Sequence, residues 1–542
     1  MRELGAGYID KTGLISQLLD DINPVALFPR PRRFGKTLNL STLRYFLAKS
    51  SEDLSHLFEG LAVARDAQAM AHFQKYPTIF VSFKDVKAKT FDAAMVGIRS
   101  QIASAFDLYR HLLDDPRLGT TMKRRLREVL DGTATPDELQ YSFQWLSQAL
   151  YEHYQTPVVI LIDEYDTPIQ SGYIHEYFDD VVLFFRNFLS ACLKDNVALF
   201  KGVLTGILRV SKENLFSGLN NIEVHSILTS DYATAFGFTE TEVASVIEPA
   251  YLEQVRAWYN GYVFGGHVIY NPWSILSFLK HRTLKPFWVN TGSSDLIEHL
   301  GTAKGLAMSD QSYALLRGET IDVIVDDDIA LRDMDHRSDA LWNFLLFAGY
   351  LKLVSSEYDD NGKLHGKLAI PNKEVRSVYL AMFESWLARA DRDWAATKEL
   401  VKALLAGDAT TVERLLGRIL LTAMSYQDPA GRAPEKLYHG FILGLLVHLE
   451  PQYEVRSNRE AGYGRADVLM RPKAQGRPGV VMEFKVLDEQ SPEEALNDAA
   501  KQIRDRQYAA ELTNAGAFPV YEYAIVFDGK RAWVKRVAPS GE

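Results

Sequence analysis

The sequence predicts an α/β protein: a parallel, doubly wound sheet near the N-terminus, then a helical region, then a second α/β domain. Two observations carry this prediction. Short apolar runs alternate with helix-patterned segments up to residue 204, which is typical of a parallel sheet covered by helices. The alternation restarts after about residue 400, where three short strand patterns precede a closing helix over residues 495–512.

The first predicted strand, Pro24–Phe28, leads through RPRRFGKT (residues 30–37) into a helix-friendly run, Leu38–Leu47. Strand, loop and helix in this order form a phosphate-binding loop, in which backbone N–H groups and the positive helix end face the phosphates. Lys36 would neutralise phosphate charge, and the Thr37 hydroxyl would hold Mg²⁺. This part of the chain is therefore predicted to bind ATP.

The loop departs from the usual pattern at Arg30, which stands where a glycine is common. Arg33 adds a positive charge where small residues are usual, and we assign it with Gly35 to the nucleotide-contacting set. The departure leaves the rate of ATP hydrolysis open. The alternative interpretation is a basic surface loop before a helix.

A second stretch favours the nucleotide site. The apolar run Val158–Ile162 ends in Asp163 and Glu164, as a buried parallel strand does when it delivers carboxylates to its C-terminal edge. Asp163 would bind Mg²⁺, and Glu164 would polarise the attacking water. The alternative is a core strand followed by a solvated acidic turn.

The next predicted strand, Ala198–Leu204, ends at Thr205. Thr205 would lie near the γ-phosphate as a polar sensor, and Arg209 would reach a phosphate as a bidentate cation. The alternative is a structural threonine cap and a surface arginine.

Composition narrows the class of protein. The 542 residues suffice for two to four domains, and 47% apolar with 24% charged residues is ordinary for a globular protein. A net charge of −10 excludes a wholly basic nucleic-acid coat but leaves room for a local basic groove. The single cysteine, Cys192, fits a reducing compartment. Without a signal-peptide pattern or a membrane-length apolar run, we expect a cytoplasmic location and no membrane partner.

The middle of the chain is less informative. Asn, Gly and aromatic residues are frequent over residues 211–300, a pattern more typical of core packing than of a base-stacking surface. Residues 300–400 resemble a helical lid or a winged-helix-like region. We therefore divide the chain into residues 1–230, 231–400 and 401–542.

A second candidate site lies near the C-terminus. Glu483 and Lys485 alternate on one predicted strand and point to one face, while Asp467 lies on the preceding strand across a hairpin. Two carboxylates suit Mg²⁺, Lys485 would orient water, and Gln502 on the following helix would aid placement. The pattern predicts a phosphodiesterase site. The alternative is a meander with exposed charges.

The series of motifs resembles a bacterial family that joins an AAA-ATPase-like domain to a C-terminal nuclease domain of the PD-(D/E)XK superfamily. The resemblance runs from Tyr8 to about Phe527, and the matching stretches are RPRRFGKT, LIDEYDTP, TGILRVSKENLFSGLNN, FGFT, WYNGY, YNPWSI, IPNKEV, YHGFILGLL, SNREAGYGRADVLM, EFKV and QIRDRQY. It implies a P-loop ATPase sheet and a restriction-endonuclease-like fold.

Together these features predict an ATPase coupled to a Mg²⁺-dependent endonuclease that cleaves nucleic acid, with DNA favoured. A role in defence or in handling mobile elements follows only by analogy. A homo-oligomer is one option, because many such ATPases take an arginine from a neighbour. The alternatives are a nucleotide-switched binding or signalling module with an inactive nuclease fold, and an ATPase that acts on assemblies without cutting.

Overall fold

The computed structural model describes residues 7–194, 196–207, 221–288, 310–316, 318–328, 331, 333–390, 394–423, 438, 442–443, 445–446, 452–461 and 464–538. The chain divides into two compact units, Met1–Leu296 with Asp322–Val375 and Ile297–Ile321 with Arg376–Glu542. Within the described ranges, no helix is both long enough and apolar enough to cross a bilayer.

The described strands are β1 (Val25–Pro29), β2 (Thr78–Ser82), β3 (Val158–Asp163), β4 (Leu199–Gly206), β5 (Ile222–Val224), β6 (Phe238–Thr239), β7 (Tyr262–Phe264), β8 (His267–Tyr270), β9 (Ile321–Val325), β10 (Lys352–Tyr358), β11 (Leu364–Ala369), β12 (Tyr453–Ala461), β13 (Gly464–Pro472), β14 (Gly479–Val486), β15 (Val520–Asp528) and β16 (Arg531–Val537).

The described helices are α1 (Gly13–Asp20), α2 (Lys36–Leu47), α3 (Ala67–Met70), α4 (Phe91–Asp107), α5 (Thr120–Leu130), α6 (Pro136–Leu139), α7 (Ser142–Tyr154), α8 (Thr167–Ile174), α9 (Phe178–Leu189), α10 (Glu240–Val246), α11 (Pro249–Tyr259), α12 (Pro272–His281), α13 (Asp310–Leu316), α14 (Asp333–His336), α15 (Ser338–Phe347), α16 (Lys373–Ala390), α17 (Trp394–Ala406), α18 (Ala409–Ala423), α19 (Pro492–Arg506) and α20 (Ala509–Asn514).

The N-terminal sheet is parallel and has the strand order β2-β3-β4-β1-β5. All residues of β1 and β3 are buried, because helices cover both faces of the sheet centre. The parallel, doubly wound sheet predicted from the alternating pattern is confirmed. The carboxyl ends of β1, β2, β3 and β4 lie side by side at one edge, where the predicted phosphate loop and acidic residues fall.

Two three-stranded sheets follow the parallel sheet along the chain. The first has the order β6-β8-β7 with antiparallel pairing, and the second has the order β10-β11-β9. Helix α15 directly precedes the antiparallel hairpin of β10 and β11. The division that treats residues 231–400 as a helical lid or a winged-helix-like region stays a prediction.

The C-terminal sheet has the order β12-β13-β14-β15-β16. Only β14 and β15 pair in parallel; the other neighbours pair antiparallel. One face packs against α17 and α18, and the other packs against α19 and α20. This mixed sheet between helices is the second α/β domain that the sequence predicted.

The closing helix is shorter than predicted. The pattern indicated one helix over residues 495–512, but α19 ends at Arg506 because Gln507 adopts a left-handed conformation, with φ +52°. Helix α20 begins at Ala509, so Gln507 and Tyr508 separate the two helices. The break turns Tyr508 back toward the sheet. The strongly apolar run over residues 436–449 also predicts a helix, and most of it lies outside the described residues.

Candidate functional sites

The loop between β1 and α2 has the backbone of a phosphate-binding loop. Gly35 precedes the first residue of α2 with φ +89°, and Arg33 also has a positive φ, +67°. Gly35 is suited to this conformation because it has no Cβ. After this left-handed backbone, Lys36 and Thr37 lie in the first turn of α2. There the unpaired N–H groups and the helix dipole favour an anion.

Lys36 is buried and bridges the loop to the acidic strand. Its ammonium donates to the main-chain oxygens of Arg30 (3.0 Å) and Pro31 (3.3 Å), and lies 3.2 Å from a carboxylate oxygen of Glu164. Burial is the largest single influence on the pKa of Glu164 and acts to raise it, but the Lys36 ammonium, helped by Arg32 and Thr167, makes the net effect a lowered pKa. Lys36 and Glu164 therefore rest as an ion pair.

Asp163 is fully buried at the end of β3, where three hydroxyl groups surround its carboxylate. Thr205 donates at 2.7 Å, Thr37 at 2.9 Å and Ser82 at 3.1 Å. The structure therefore brings Lys36, Thr37, Asp163, Glu164 and Thr205 together, as the sequence suggested. The carboxylate and hydroxyl oxygens of Asp163 and Thr37 are the type of ligand that a hard cation such as Mg²⁺ takes.

Ser82 was not singled out from the sequence. It ends β2 and pairs in register with Asp163 of β3. A serine after an apolar run is common, so only the strand register could have revealed its place beside the carboxylate. Arg209, the predicted phosphate contact beyond Thr205, lies outside the described residues.

Arg30 is completely buried, and the structure accounts for this departure from the usual loop. Its guanidinium donates to the main-chain oxygens of Pro29 and His225 and lies over the rings of Phe236 (5.1 Å) and Phe264 (5.4 Å). Burial lowers the pKa of Arg30 to about 9. Arg30 thus ties the loop to β5 and to the region after it.

Arg33, in contrast, is exposed. Its guanidinium carbon lies 4.7 Å from the ring centroid of Trp273, a cation–π distance. The structure therefore places Arg33 on the outer side of the loop, at the start of α12.

Aromatic side chains pack against the phosphate loop at Phe34. The buried Phe34 ring lies 4.9 Å from the ring of Tyr262 and 5.2 Å from that of Phe264. The Phe34 carbonyl accepts a 3.0 Å hydrogen bond from the N–H of Gly237. The sheet of β6, β7 and β8 therefore fixes the conformation of the phosphate loop.

We expect Gly237→Ala to lower the free energy of unfolding by at least about 2 kcal/mol. Gly237 has φ +81°, and a Cβ there would lie 2.3 Å from Ile269 Cγ2 and 2.9 Å from Phe34 Cδ1. Gly266→Ala is the matched control, because Gly266 has the same φ but open space around it. Urea unfolding of both variants separates the clash from the backbone strain; equal losses would contradict this account.

A buried carboxyl group supports the loop through Trp288. The indole N–H of Trp288 donates to the main-chain oxygen of Arg32 (3.1 Å), and its backbone N–H donates to Glu374 (2.7 Å). Ser274 donates to the other Glu374 oxygen at 2.8 Å. Burial raises the pKa of Glu374 to about 7. Glu374 therefore gains a proton within the ordinary pH range.

Glu374→Gln should become increasingly stabilising, relative to the wild type, as pH rises through 7. A raised pKa means that the wild-type stability contribution is present below the ordinary value of 4.5 and is lost above about 7. The full difference corresponds to roughly 3 kcal/mol. Thermal unfolding between pH 5 and pH 8.5 measures it. A pH-independent gap between wild type and Glu374→Gln would refute the assignment.

The second site lies where β13 and β14 run side by side. The register that pairs Val468 with Met482 places Asp467 next to Glu483. A carboxylate oxygen of Asp467 accepts a 2.7 Å hydrogen bond from the backbone N–H of Phe484. Glu483 is 2% exposed although it is an acid. Adjacent carboxylates at this depth fit a divalent cation, which would balance their charge.

Gln502 and Lys485 complete the predicted set. The Gln502 amide, on α19, donates to a Glu483 carboxylate oxygen. Lys485 is half-buried and follows Glu483 by two residues on β14, so both side chains leave the same face of the strand. The structure therefore brings Asp467, Glu483 and Gln502 together, with Lys485 on their side of the sheet.

Tyr508 belongs to this cluster but was assigned no role from the sequence. It is buried, and burial is the largest cause of its raised pKa; the carboxylates of Glu483 and Asp467 raise it further, while a hydrogen bond with Gln502 lowers it. The left-handed Gln507 brings Tyr508 back to this position. The sequence shows a tyrosine at the end of QIRDRQY, but the uninterrupted helix that we predicted there would have placed its side chain in a different direction.

Both ends of the chain match models of known protein families. Residues 1–216 match the family described as "Predicted AAA-ATPase", and residues 433–537 match the PD-(D/E)XK nuclease superfamily. The chain thus joins an AAA-ATPase-like domain to a PD-(D/E)XK nuclease superfamily domain, as the sequence resemblance implied. A relative from Azotobacter chroococcum mcd 1, described as "Uncharacterized protein in vnfD 5'region", is 27% identical over 528 residues, covering 96% of this chain and 92% of that protein.

Proposed function

We propose that this protein binds and hydrolyses ATP with Mg²⁺ at its N-terminal site and cleaves nucleic acid, DNA in the first instance, at its C-terminal site. The observation that carries the proposal is the arrangement of acids and lysines at both places. Lys36 and Glu164 form a buried ion pair beside the hydroxyl-lined Asp163, and Asp467 adjoins the buried Glu483.

At the N-terminal site the proposed roles follow from the resting contacts. Lys36 leaves the carbonyl of Arg30 and the carboxylate of Glu164 to donate to the β- and γ-phosphates. Glu164, released from that pair, orients the attacking water. Thr37 and Asp163 would hold Mg²⁺, which supplies charge neutralisation between the phosphates.

Four further residues complete the proposed nucleotide site. Gly35 presents the start of α2 to the phosphates, and Thr205 senses the γ-phosphate from beside Asp163. Arg33 and Arg209 are the proposed cationic contacts from the loop and from the segment after β4. The roles of Gly35 and Thr205 rest on the local geometry described above, whereas those of Arg33 and Arg209 rest on their positions in the sequence.

At the C-terminal site, Asp467 and Glu483 would hold Mg²⁺, which supplies Lewis-acid stabilisation of the phosphodiester oxygens. Gln502 fixes the orientation of the Glu483 carboxylate through its hydrogen bond. Lys485 orients the attacking water on the same face of β14. Exposed cations on α19, among them Lys501 and Arg504, would contact the nucleic-acid backbone, so binding should weaken with salt.

We infer that ATP gates the nuclease. A nucleotide shifts a protein between two arrangements only if it binds them with different affinities, so the cleaving arrangement must be the one with higher ATP affinity. The three-part division at residues 230 and 400, a cytoplasmic location, a homo-oligomeric assembly and a role in defence or mobile-element handling belong to the same proposal. The last of these rests on analogy.

The test is to incubate the purified protein with supercoiled plasmid, Mg²⁺ and ATP, and to repeat the reaction with Glu483→Ala. Nicked or linear product in the wild type and none in the variant would support the nuclease. Equal amounts of cleaved plasmid from the wild type and Glu483→Ala would contradict the nuclease assignment. Steady phosphate release with intact DNA would favour the alternative of an ATPase or a nucleotide-switched module without nuclease activity.

A further inference from the structure

Three metal-ligating side chains, none of them part of either candidate site, meet at the edge of the N-terminal sheet. Asp21 follows α1, Glu223 lies in β5, and His225 comes directly after β5. One ligand atom of each lies within 4.8 Å of those of the other two. Glu223 and His225 are two residues apart on extended backbone and therefore face the same side. Asp21 reaches that side from the loop before β1.

His225 supplies an independent sign of a ligand. Its side chain is 3% exposed, and its Nε2 atom has no hydrogen-bond partner among the described residues. The nearest carboxylate oxygen, Oδ2 of Asp21, lies 3.6 Å away, beyond hydrogen-bond distance. Stacking on Phe28 at 5.3 Å and the edge of Tyr232 at 4.5 Å hold the ring. A buried imidazole nitrogen left without a partner is costly unless something binds it.

Neighbouring groups orient the two carboxylates toward the same point. The Asp21 carboxylate accepts from the backbone N–H of Asn23 (2.9 Å) and from the Tyr232 hydroxyl (3.2 Å). The Glu223 carboxylate accepts from the Asn23 side-chain amide. Lys201 lies close by, but its ammonium donates to the main-chain oxygens of Asp21 and Asn23. Such outer hydrogen bonds are how metal sites fix their ligands.

We propose that Asp21, Glu223 and His225 bind a zinc ion. Zinc takes imidazole nitrogen and carboxylate oxygen at about 2.0–2.2 Å in tetrahedral sites, which places neighbouring ligand atoms roughly 3.4 Å apart. The 3.6 Å between His225 Nε2 and Asp21 Oδ2 is close to that spacing. An imidazole ligand favours zinc over magnesium or calcium, which take oxygen. Water fills the remaining position, because Asp21 and Glu223 are only half-buried.

The ion would join the end of α1 to the edge strand of the sheet. The main-chain oxygen of His225 accepts a hydrogen bond from Arg30, the first residue of the phosphate loop. Zinc bound at His225 would therefore hold the backbone against which Arg30 rests. This role is separate from phosphate binding by Lys36 and Thr37.

The proposal is tested by titrating Zn²⁺ into the chelator-treated full-length protein, without nucleotide and in competition with a chromophoric chelator. All proteins carry Asp467→Asn and Glu483→Gln, so that the nuclease carboxylates do not contribute. We expect one zinc per chain. Glu223→Gln, which preserves side-chain size, should weaken binding by more than about 100-fold, and Tyr232→Phe should weaken it by about tenfold.

His267→Ala is the matched control, because His267 is an exposed histidine of the same unit and should leave zinc affinity unchanged. Circular dichroism confirms that each variant is folded, and Co²⁺ absorption reports on the imidazole ligand. If Glu223→Gln does not fold, Tyr232→Phe decides. No zinc binding by the parent protein, or equal affinity in the parent and the folded variants, would overturn the proposal.

Discussion

Replacing Glu483 with glutamine is expected to reduce plasmid cleavage by about a thousandfold and to leave ATP hydrolysis unchanged. Glu483 is almost completely buried beside Asp467, and its carboxylate is held by Gln502. Glutamine has the same shape but lacks the negative charge that a divalent cation requires. Metal-ion stabilisation of a phosphodiester transition state is worth several kcal/mol, and about 1.4 kcal/mol corresponds to a tenfold change in rate.

Glu489→Gln is the control for this substitution. Glu489 is exposed in the turn between β14 and α19, so losing its charge should leave cleavage within twofold of the wild type, as surface changes generally perturb little. Initial rates of nicking and of phosphate release are measured on the same preparations. Cleavage by Glu483→Gln at the wild-type rate would show that the cutting arises elsewhere. Loss of ATP hydrolysis in that variant would argue for a folding defect.

Lys36→Ala should weaken ATP binding on the order of 10- to 100-fold and abolish ATP-stimulated cleavage. The Lys36 ammonium rests on the carbonyls of Arg30 and Pro31 and on the carboxylate of Glu164, so it can exchange these partners for phosphate oxygens. Hydrogen bonds from a charged donor contribute about 1.5–3 kcal/mol each. Removing the donor also leaves Glu164 without its cation, so the pKa of Glu164 should rise.

Lys75→Ala provides the comparison, since Lys75 is an exposed lysine of the same sheet domain. Calorimetric titration with a non-hydrolysable ATP analogue gives the affinity of each variant, and circular dichroism gives its folded state. Equal affinity in Lys36→Ala and Lys75→Ala would remove residues 30–37 from the nucleotide site. If Lys36→Ala bound the ATP analogue normally but did not hydrolyse ATP, Lys36 would act in catalysis and not in binding.

The sequence predicted site residues well where a reactive side chain stands within a few residues of a clear strand or helix pattern. Asp163 and Glu164 end an apolar strand, Lys36 and Thr37 begin a helix after a glycine, and the alternation at Glu483 marks one strand face. For Asp163 and Glu483, which lie within strands, the alternation of the strand fixes which face of the sheet the side chain leaves. The parallel sheet follows from the same local patterns, whereas β15 and β16, which come after the helix predicted to close the C-terminal domain, were not predicted.

What the sequence could not reveal depends on contacts between distant segments. Ser82 meets Asp163 only through strand register, 81 residues apart. Arg30 turns inward because Phe236 and Phe264, far along the chain, provide the surface on which it lies. Asp21 and His225 are likewise brought together only by β5 joining the sheet edge. Local sequence patterns do not predict contacts between segments so far apart in the chain. The position of Tyr508 was also missed, because the left-handed backbone of Gln507 ends the helix before it.

The measurement that tests ATP-gated cleavage most directly is the initial rate of plasmid cutting as ATP is varied at fixed Mg²⁺, set beside the ATP-binding isotherm of the same protein. Gating predicts that the two curves share one midpoint and that Lys36→Ala shifts both together. A rate of plasmid cutting that is the same without ATP and at every ATP concentration would contradict gating.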